Sequence, residues 1–282
     1  MKTIIFLAST FLLVSCGHLF YQPGIGRMYQ PDQFKVKFEE VYVDGFDGIK
    51  LHGWYVRRKN AATTKPKGLI LMLHGNAENI STHFLNLLWI TQEGYDYLIF
   101  DYRGYGESTG APSQKGLYQD ALTALDYSLN LAHKEKYPKF IAYGQSLGGN
   151  VLLKGLQGFD RTSQIDLVVL DSTFLSYKWI GFDKLTDFWF LYPLSPLAFV
   201  VVTDEFAPKD YVYKLDRPTL YIHGEKDKVV PVKFGREIFS KLKSVPENKK
   251  WSWFIPDGQH IDVFSAHDKI YRKQFVELLN NL

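Results

Sequence analysis

The chain has 282 residues, of which 46% are apolar, 22% charged and 16% aromatic, and it carries a formal net charge of +3. That length suits one α/β-type folded unit with a sizeable core. Acidic and basic residues are mixed without a basic block, which argues against a nucleic-acid partner, and a single cysteine, Cys16, rules out a disulfide within the chain.

Lys2 precedes an apolar run from Ile4 to Val14, broken only by Ser9 and Thr10. Eleven helical residues rise about 16 Å, short of a hydrocarbon core of about 30 Å. The run therefore reads as the apolar region of a secretory signal over residues 1–15. It ends in Leu13-Val14-Ser15-Cys16, which resembles the lipobox of bacterial lipoproteins. That resemblance implies a diacylglyceryl group on Cys16, a mature chain beginning there, and membrane association in the cell envelope. By the same resemblance, Gly17, where the family's sorting rules would need aspartate for inner-membrane retention, implies the outer membrane. The other reading is a simple cleaved signal or short anchor, with Cys16 incidental. Residues 16–37 show no periodicity and are expected to be a tether ahead of a domain over 38–282.

Phe38–Val43 and Ile49–Arg57 are strand-like runs around Asp44-Gly45-Phe46-Asp47-Gly48, and predict a hairpin. Gly68–Leu73 is a continuous apolar run, as for a strand buried on both faces. A helix is predicted over Thr82–Gln92, from Phe84, Leu87 and Leu88, then a strand over Tyr97–Phe100. Leu117, Ala121, Ala124, Leu125, Ser128 and Ala132 share one face of a predicted helix over Ser113–Lys136. Strand Phe140–Tyr143, helix Leu147–Gln157 and strand Ile165–Leu170 follow. The series closes with strand Thr219–His223, helix Val232–Leu242, strand Trp251–Ile255 and a helix over Val263–Leu279. Such alternation implies a mostly parallel twisted sheet with helices on both faces, and sites at the carboxyl ends of its strands. Residues 172–215 interrupt it with a long aromatic-rich segment, placed to form a short helical cap.

Gly144-Gln145-Ser146-Leu147-Gly148-Gly149 lies between a predicted strand and a predicted helix, the context a G-x-S-x-G turn needs. Here the chain resembles the α/β-hydrolase family, over about residues 38–282. The resemblance implies that Ser146 is a nucleophile and that His260, after the last strand, is its base. It makes Asp227 the acid, with Asp171 as the alternative, in the order Ser146, Asp227, His260. Asp257 and Asp262 sit too close to His260 in sequence to be preferred, and His267 falls in the predicted last helix. Oxyanion donors are expected at the backbone N–H of Leu147 and, from His74-Gly75-Asn76, of Asn76. Asn76 could equally be a residue that braces its loop. His74 and His223, and Asp101 and Arg103 in Asp101-Tyr102-Arg103-Gly104-Tyr105-Gly106, are read as loop organisers.

No H-E-x-x-H, cysteine cluster, P-loop or G-x-G-x-x-G is present, so neither a catalytic metal nor another cofactor is expected. The expected activity is that of a serine hydrolase acting on a carboxylic ester or thioester, with an acyl chain as one candidate substituent. A non-catalytic surface lipoprotein of the same fold, an acyltransferase and a peptidase are the alternatives. Residues 197–202 of the cap could wall an acyl site, touch a bilayer or pack on the core. Oligomeric state is left open.

Overall fold

The computed structural model describes residues 20–186 and 190–282. The signal segment, Cys16, and Phe188 and Trp189 of the cap lie outside the described residues.

Among the described residues, eight strands form one sheet: β1 (Phe38–Asp44), β2 (Lys50–Val56), β3 (Gly68–Leu73), β4 (Tyr95–Phe100), β5 (Phe140–Gln145), β6 (Leu167–Asp171), β7 (Thr219–Gly224) and β8 (Lys250–Ile255). Their order across the sheet is β8-β7-β6-β5-β3-β4-β2-β1. β1 pairs with β2, and β2 with β4, antiparallel, and every other pairing is parallel. Side chains alternate along each strand, so each central strand feeds two cores. Leu69, Leu71 and Leu73 of β3 join Ala142, Val168, Leu170 and Tyr221 on one face. Ile70 and Met72 join Ile141, Val169, Leu220 and Ile222 on the other.

The first face is covered by α2 (Gln114–Lys134), α3 (Leu147–Gly158) and α6 (Val232–Lys241). A Cβ on Gly155 would stand 2.8 Å from that of Ala121, so α2 and α3 approach as closely as side chains allow. The opposite face carries α7 (Asp268–Asn280) and the segment after β3. That segment is not the single helix expected over 82–92. It is a short α1 (Ile80–His83) followed by 3₁₀ turns Phe84–Asn86 and Leu88–Glu93. Phe84, Leu87 and Ile90 are all fully buried, and a spacing of three suits 3₁₀ geometry better than an α-helix. The last helix starts at Asp268, with His267 at its N-cap, because 262–266 is a turn held by Asp262 O. The cap contributes α4 (Tyr177–Thr186), a 3₁₀ turn Tyr192–Leu197 and α5 (Ala198–Val201).

Residues 20–37, expected to be a tether, run along the domain. Gln22 and Pro23 pair in parallel with Ala77 and Glu78, and Tyr21 is buried. Arg27 bridges Glu40 at 2.7 Å and Glu107 at 2.6 Å. Glu40 also meets His52 Nε2 at 2.5 Å and accepts from Trp54 Nε1 at 3.0 Å, while His52 Nδ1 lies 3.3 Å from Asp101.

Burial disfavours the charged form of His52, but its hydrogen bonds to Asp101 and Glu40 outweigh this and raise its pKa. A raised folded-state pKa adds stability that is fully present below about 6.5, and is lost as pH rises through the folded value. His52→Gln is therefore expected to destabilise by ~1–2 kcal/mol at pH 6, with a much smaller gap at pH 9. Thermal melts of both chains at the two pH values check this; an equal gap at both would deny the buried charge.

Candidate active site

Ser146 sits between β5 and α3 with φ 53° and ψ −119°, a conformation that L-residues rarely adopt. The flanking glycines make this turn feasible. A Cβ on Gly148 would stand 2.0 Å from Leu73 O, and one on Gly144 2.6 Å from Gly149 Cα. Ser146 N–H donates to Asp171 O at 2.8 Å, and Thr173 Oγ1 donates to Ser146 O at 2.6 Å. The strained serine is thus pinned at both backbone ends, and its side chain stands at the N-terminus of α3.

His260, on the turn after β8, places Nε2 3.1 Å from Ser146 Oγ and Nδ1 2.7 Å from Asp227 Oδ2. Asp227, on the loop after β7, also accepts from the N–H groups of Val229 and Val230 through Oδ1, each at 2.8 Å. Burial alone would raise its pKa. Hydrogen bonds from His223 and His260, the His260 charge and the Val230 N–H together hold it well below the usual carboxylate range. An ionised carboxylate fixes the imidazole tautomer that leaves Nε2 free to take a serine proton. Asp171, the alternative acid, is instead occupied by Tyr143 OH at 2.6 Å and Ser172 Oγ at 2.9 Å. Its burial raises its pKa, against those hydrogen bonds. Asp257 and Asp262 lie 3.9 Å from the His267 ring rather than beside His260.

The loop after β3 brings Gly75 against the serine: a Cβ there would lie 3.6 Å from Ser146 Cβ. The Asn76 side chain is fully engaged in bracing. Nδ2 donates to Phe20 O at 2.6 Å, while Oδ1 accepts from Gln22 N–H at 3.2 Å and Tyr105 OH at 2.8 Å. This leaves the backbone N–H groups of Asn76 and Leu147, which no other described residue takes up. An N–H pair beside a serine–imidazole couple can hold a developing oxyanion.

The loop organisers behave as such. Arg103 forms a two-pronged pair with Asp120, at 2.9 and 2.8 Å. Asp101 accepts from Ile80 N–H at 2.9 Å. His74 is fully buried, with a pKa lowered by that burial, and is stacked 5.0 Å from His83. His223 Nε2 donates to Val230 O at 2.7 Å and lies 3.3 Å from Asp227 Oδ2, the oxygen that also meets His260 Nδ1, so it braces Asp227. Sequence reasoning missed Thr173 and the arm formed by residues 20–37 as neighbours of the site, and no pattern in those residues announces them. Two surface hollows, of about 510 and 490 Å³, lie elsewhere and are lined by neither Ser146, Asp227 nor His260.

A mostly parallel sheet in this strand order, with a strained serine turn between β5 and α3, is the α/β-hydrolase fold. The family described as serine aminopeptidase, S33, matches residues 64–199. The uncharacterized protein YfhR of Escherichia coli K12 is 31% identical over 266 residues, which cover 93% of this chain and 86% of that protein. The chain belongs to the α/β-hydrolase superfamily and, within it, to the family of the YfhR proteins. It is also similar to the lysophosphatidylserine lipase ABHD12 of Macaca fascicularis, at 30% identity over 78% of this chain and 55% of that one. Among solved structures, an esterase of Pyrococcus furiosus superposes with a TM-score of 0.74 at 20% identity, covering 93% of this chain and 97% of that one, a likeness of fold.

Proposed function

We propose that this protein is a serine hydrolase that cleaves a carboxylic ester or thioester through an acyl-enzyme. The observation that carries the reading is the continuous hydrogen-bonded line Ser146 Oγ, His260, Asp227, at 3.1 and 2.7 Å. Ser146 attacks the carbonyl as His260 Nε2 takes its proton. The N–H groups of Leu147 and Asn76 hold the oxyanion, and Asp227 stabilises the imidazolium. His260 then returns the proton to the leaving group, and water repeats the sequence to free the acid. The lipase and esterase names among similar proteins support an ester. The aminopeptidase name of the matching family supports peptide cleavage, which shares the first half-reaction.

The test is fluorophosphonate labelling of the purified protein, with turnover of short esters, thioesters and aminoacyl amides side by side. Labelling with ester turnover is the expected result. Amide turnover alone would move the reading to a peptidase, and neither labelling nor turnover would leave a binding protein.

The proposal extends to location: an exported chain, lipid-anchored at Cys16 to the bacterial cell envelope, on the outer-membrane side. The order of Lys2, the run Ile4–Val14 and Leu13-Val14-Ser15-Cys16 supports it. Among the described residues no helix is long and apolar enough to cross a membrane.

A further inference from the structure

Residues 188–203 contain no charged side chain, yet, Ser195 and Ala198 apart, much of the described part of this stretch is exposed. Val200 is 81% exposed, Tyr192 63% and Leu197 50%, with Leu194 and Val201 close behind. On the neighbouring α4, Trp179 is 53% exposed although its ring packs 4.8 Å from that of Phe199. Single exposed apolar residues need no explanation, but a contiguous apolar face of this kind marks a contact surface.

Three placements say what covers it. First, the described chain begins at Phe20, whose ring packs 5.1 Å from that of Tyr177 at the start of α4 and 6.4 Å from that of Phe174. The N-terminal segment, with its apolar run Ile4–Val14, therefore joins the domain at the foot of the cap. Cys16 is four residues from Phe20, a reach of at most about 14 Å. Second, the far end of α4 touches the loop of the acid, where Lys184 Nζ donates to Lys228 O at 3.0 Å. The cap thus spans from the arm to Asp227, over the carboxyl edge of the sheet that holds Ser146. Third, the exposed lysines Lys226 and Lys228 flank Asp227 at that border, as suits a surface of anionic headgroups.

We infer that the cap's exposed apolar face, Trp179 with residues 192–201, docks on the phospholipid bilayer that holds the N-terminal segment. The inference rests on the membrane-anchored hydrolase reading and deepens it. A site covered by a bilayer-seated cap takes its ester from the lipid phase, so the substrate class is an acyl ester residing in the membrane. The rim lysines attract the headgroup layer while the uncharged stretch enters the boundary of the acyl chains.

The experiment uses the full chain in vesicles of phosphatidylcholine and phosphatidylglycerol whose acyl chains are brominated, since bromine quenches tryptophan by contact. Trp54 and Trp89 are buried, and Trp251 and Trp253 lie on the edge strand β8, so quenching reads the cap. The expected result is quenching that falls by about half in Trp179→Phe. In the variant carrying Leu197→Asp and Val200→Asp, turnover of a long-chain ester dissolved in the vesicles should drop at least ten-fold, with a water-soluble short ester unchanged.

A protein that floats with the vesicles but is not quenched would overturn docking and keep the anchor; a doubled mass in that case would assign the face to a second copy. Equal loss on both esters would make the face ordinary packing and overturn the proposal. A chain that fails to float would overturn both anchor and docking. Absence of turnover of either ester by the unmodified chain would sink the hydrolase reading, while the quenching would still decide whether the cap docks.

Discussion

Ser146→Ala is expected to lower kcat/KM for a short ester by roughly 10⁵–10⁶-fold, leaving the ~10³-fold residual that an oxyanion site gives over water. The loss is large because the proposed mechanism assigns the acyl bond to the Oγ that lies 3.1 Å from His260 Nε2. Without it the imidazole can act only on water placed by chance. Folding should be untouched. The positive φ at 146 strains serine and alanine alike, and both backbone ties, to Asp171 O and from Thr173 Oγ1, involve main-chain atoms of 146 that survive. Steady-state kinetics with a thermal melt decide the matter. A variant that keeps a hundredth of the activity at an unchanged melting temperature would place the chemistry elsewhere.

Asp227→Asn is expected to lower kcat by about 10⁴-fold with little change in KM. The amide can keep Oδ1 turned to the N–H groups of Val229 and Val230, so the loop holds. The group then facing His260 Nδ1 is an NH₂ donor, which enforces the opposite tautomer and puts a proton on Nε2, the atom that the proposed mechanism needs to receive the serine proton. Asp171→Asn is the control, because that carboxyl is tied to Tyr143 and Ser172 rather than to His260. It should alter stability more than kcat. Equal kcat losses at both positions would return Asp171 to consideration as the acid.

Most of the sheet was legible because its strands are buried on both faces. Gly68–Leu73 reads as an uninterrupted apolar run, and the structure ends β3 at those same residues. The Ser146 turn was legible for a different reason: Gly144 and Gly148 crowd against backbone and Gly149 against the Thr173 side chain, leaving little freedom in sequence. The segment 82–92 was misjudged because Phe84, Leu87 and Leu88 fit an α-helical face, whereas the apolar side chains fully buried are Phe84, Leu87 and Ile90. The start of the last helix was set too early, since Val263 and Phe264 are apolar through burial in a turn rather than through helical phase.

The arm was the least visible element. Its ties run to a side-chain amide 54 residues away and through a two-residue bridge, and neither imposes a period on its own sequence. Asn76 shows the same limit from the other side. Its place in the loop after β3 was foreseeable, but the consumption of its whole amide by Phe20, Gln22 and Tyr105 depends on partners brought in by the fold.

The pairing of Gln22–Pro23 with Ala77–Glu78 also sets an order of events. The berth for residues 20–24 is the loop between β3 and β4, with Gly106 closing it from beyond by donating to Gly24 O at 2.9 Å. This berth is complete only once Gly106, more than eighty residues further along, has been made. Residues 20–24 are therefore seated late, and until they are, the Asn76 amide lacks two of its three partners. The neighbourhood of Ser146 is finished only when residues 20–24 have come home.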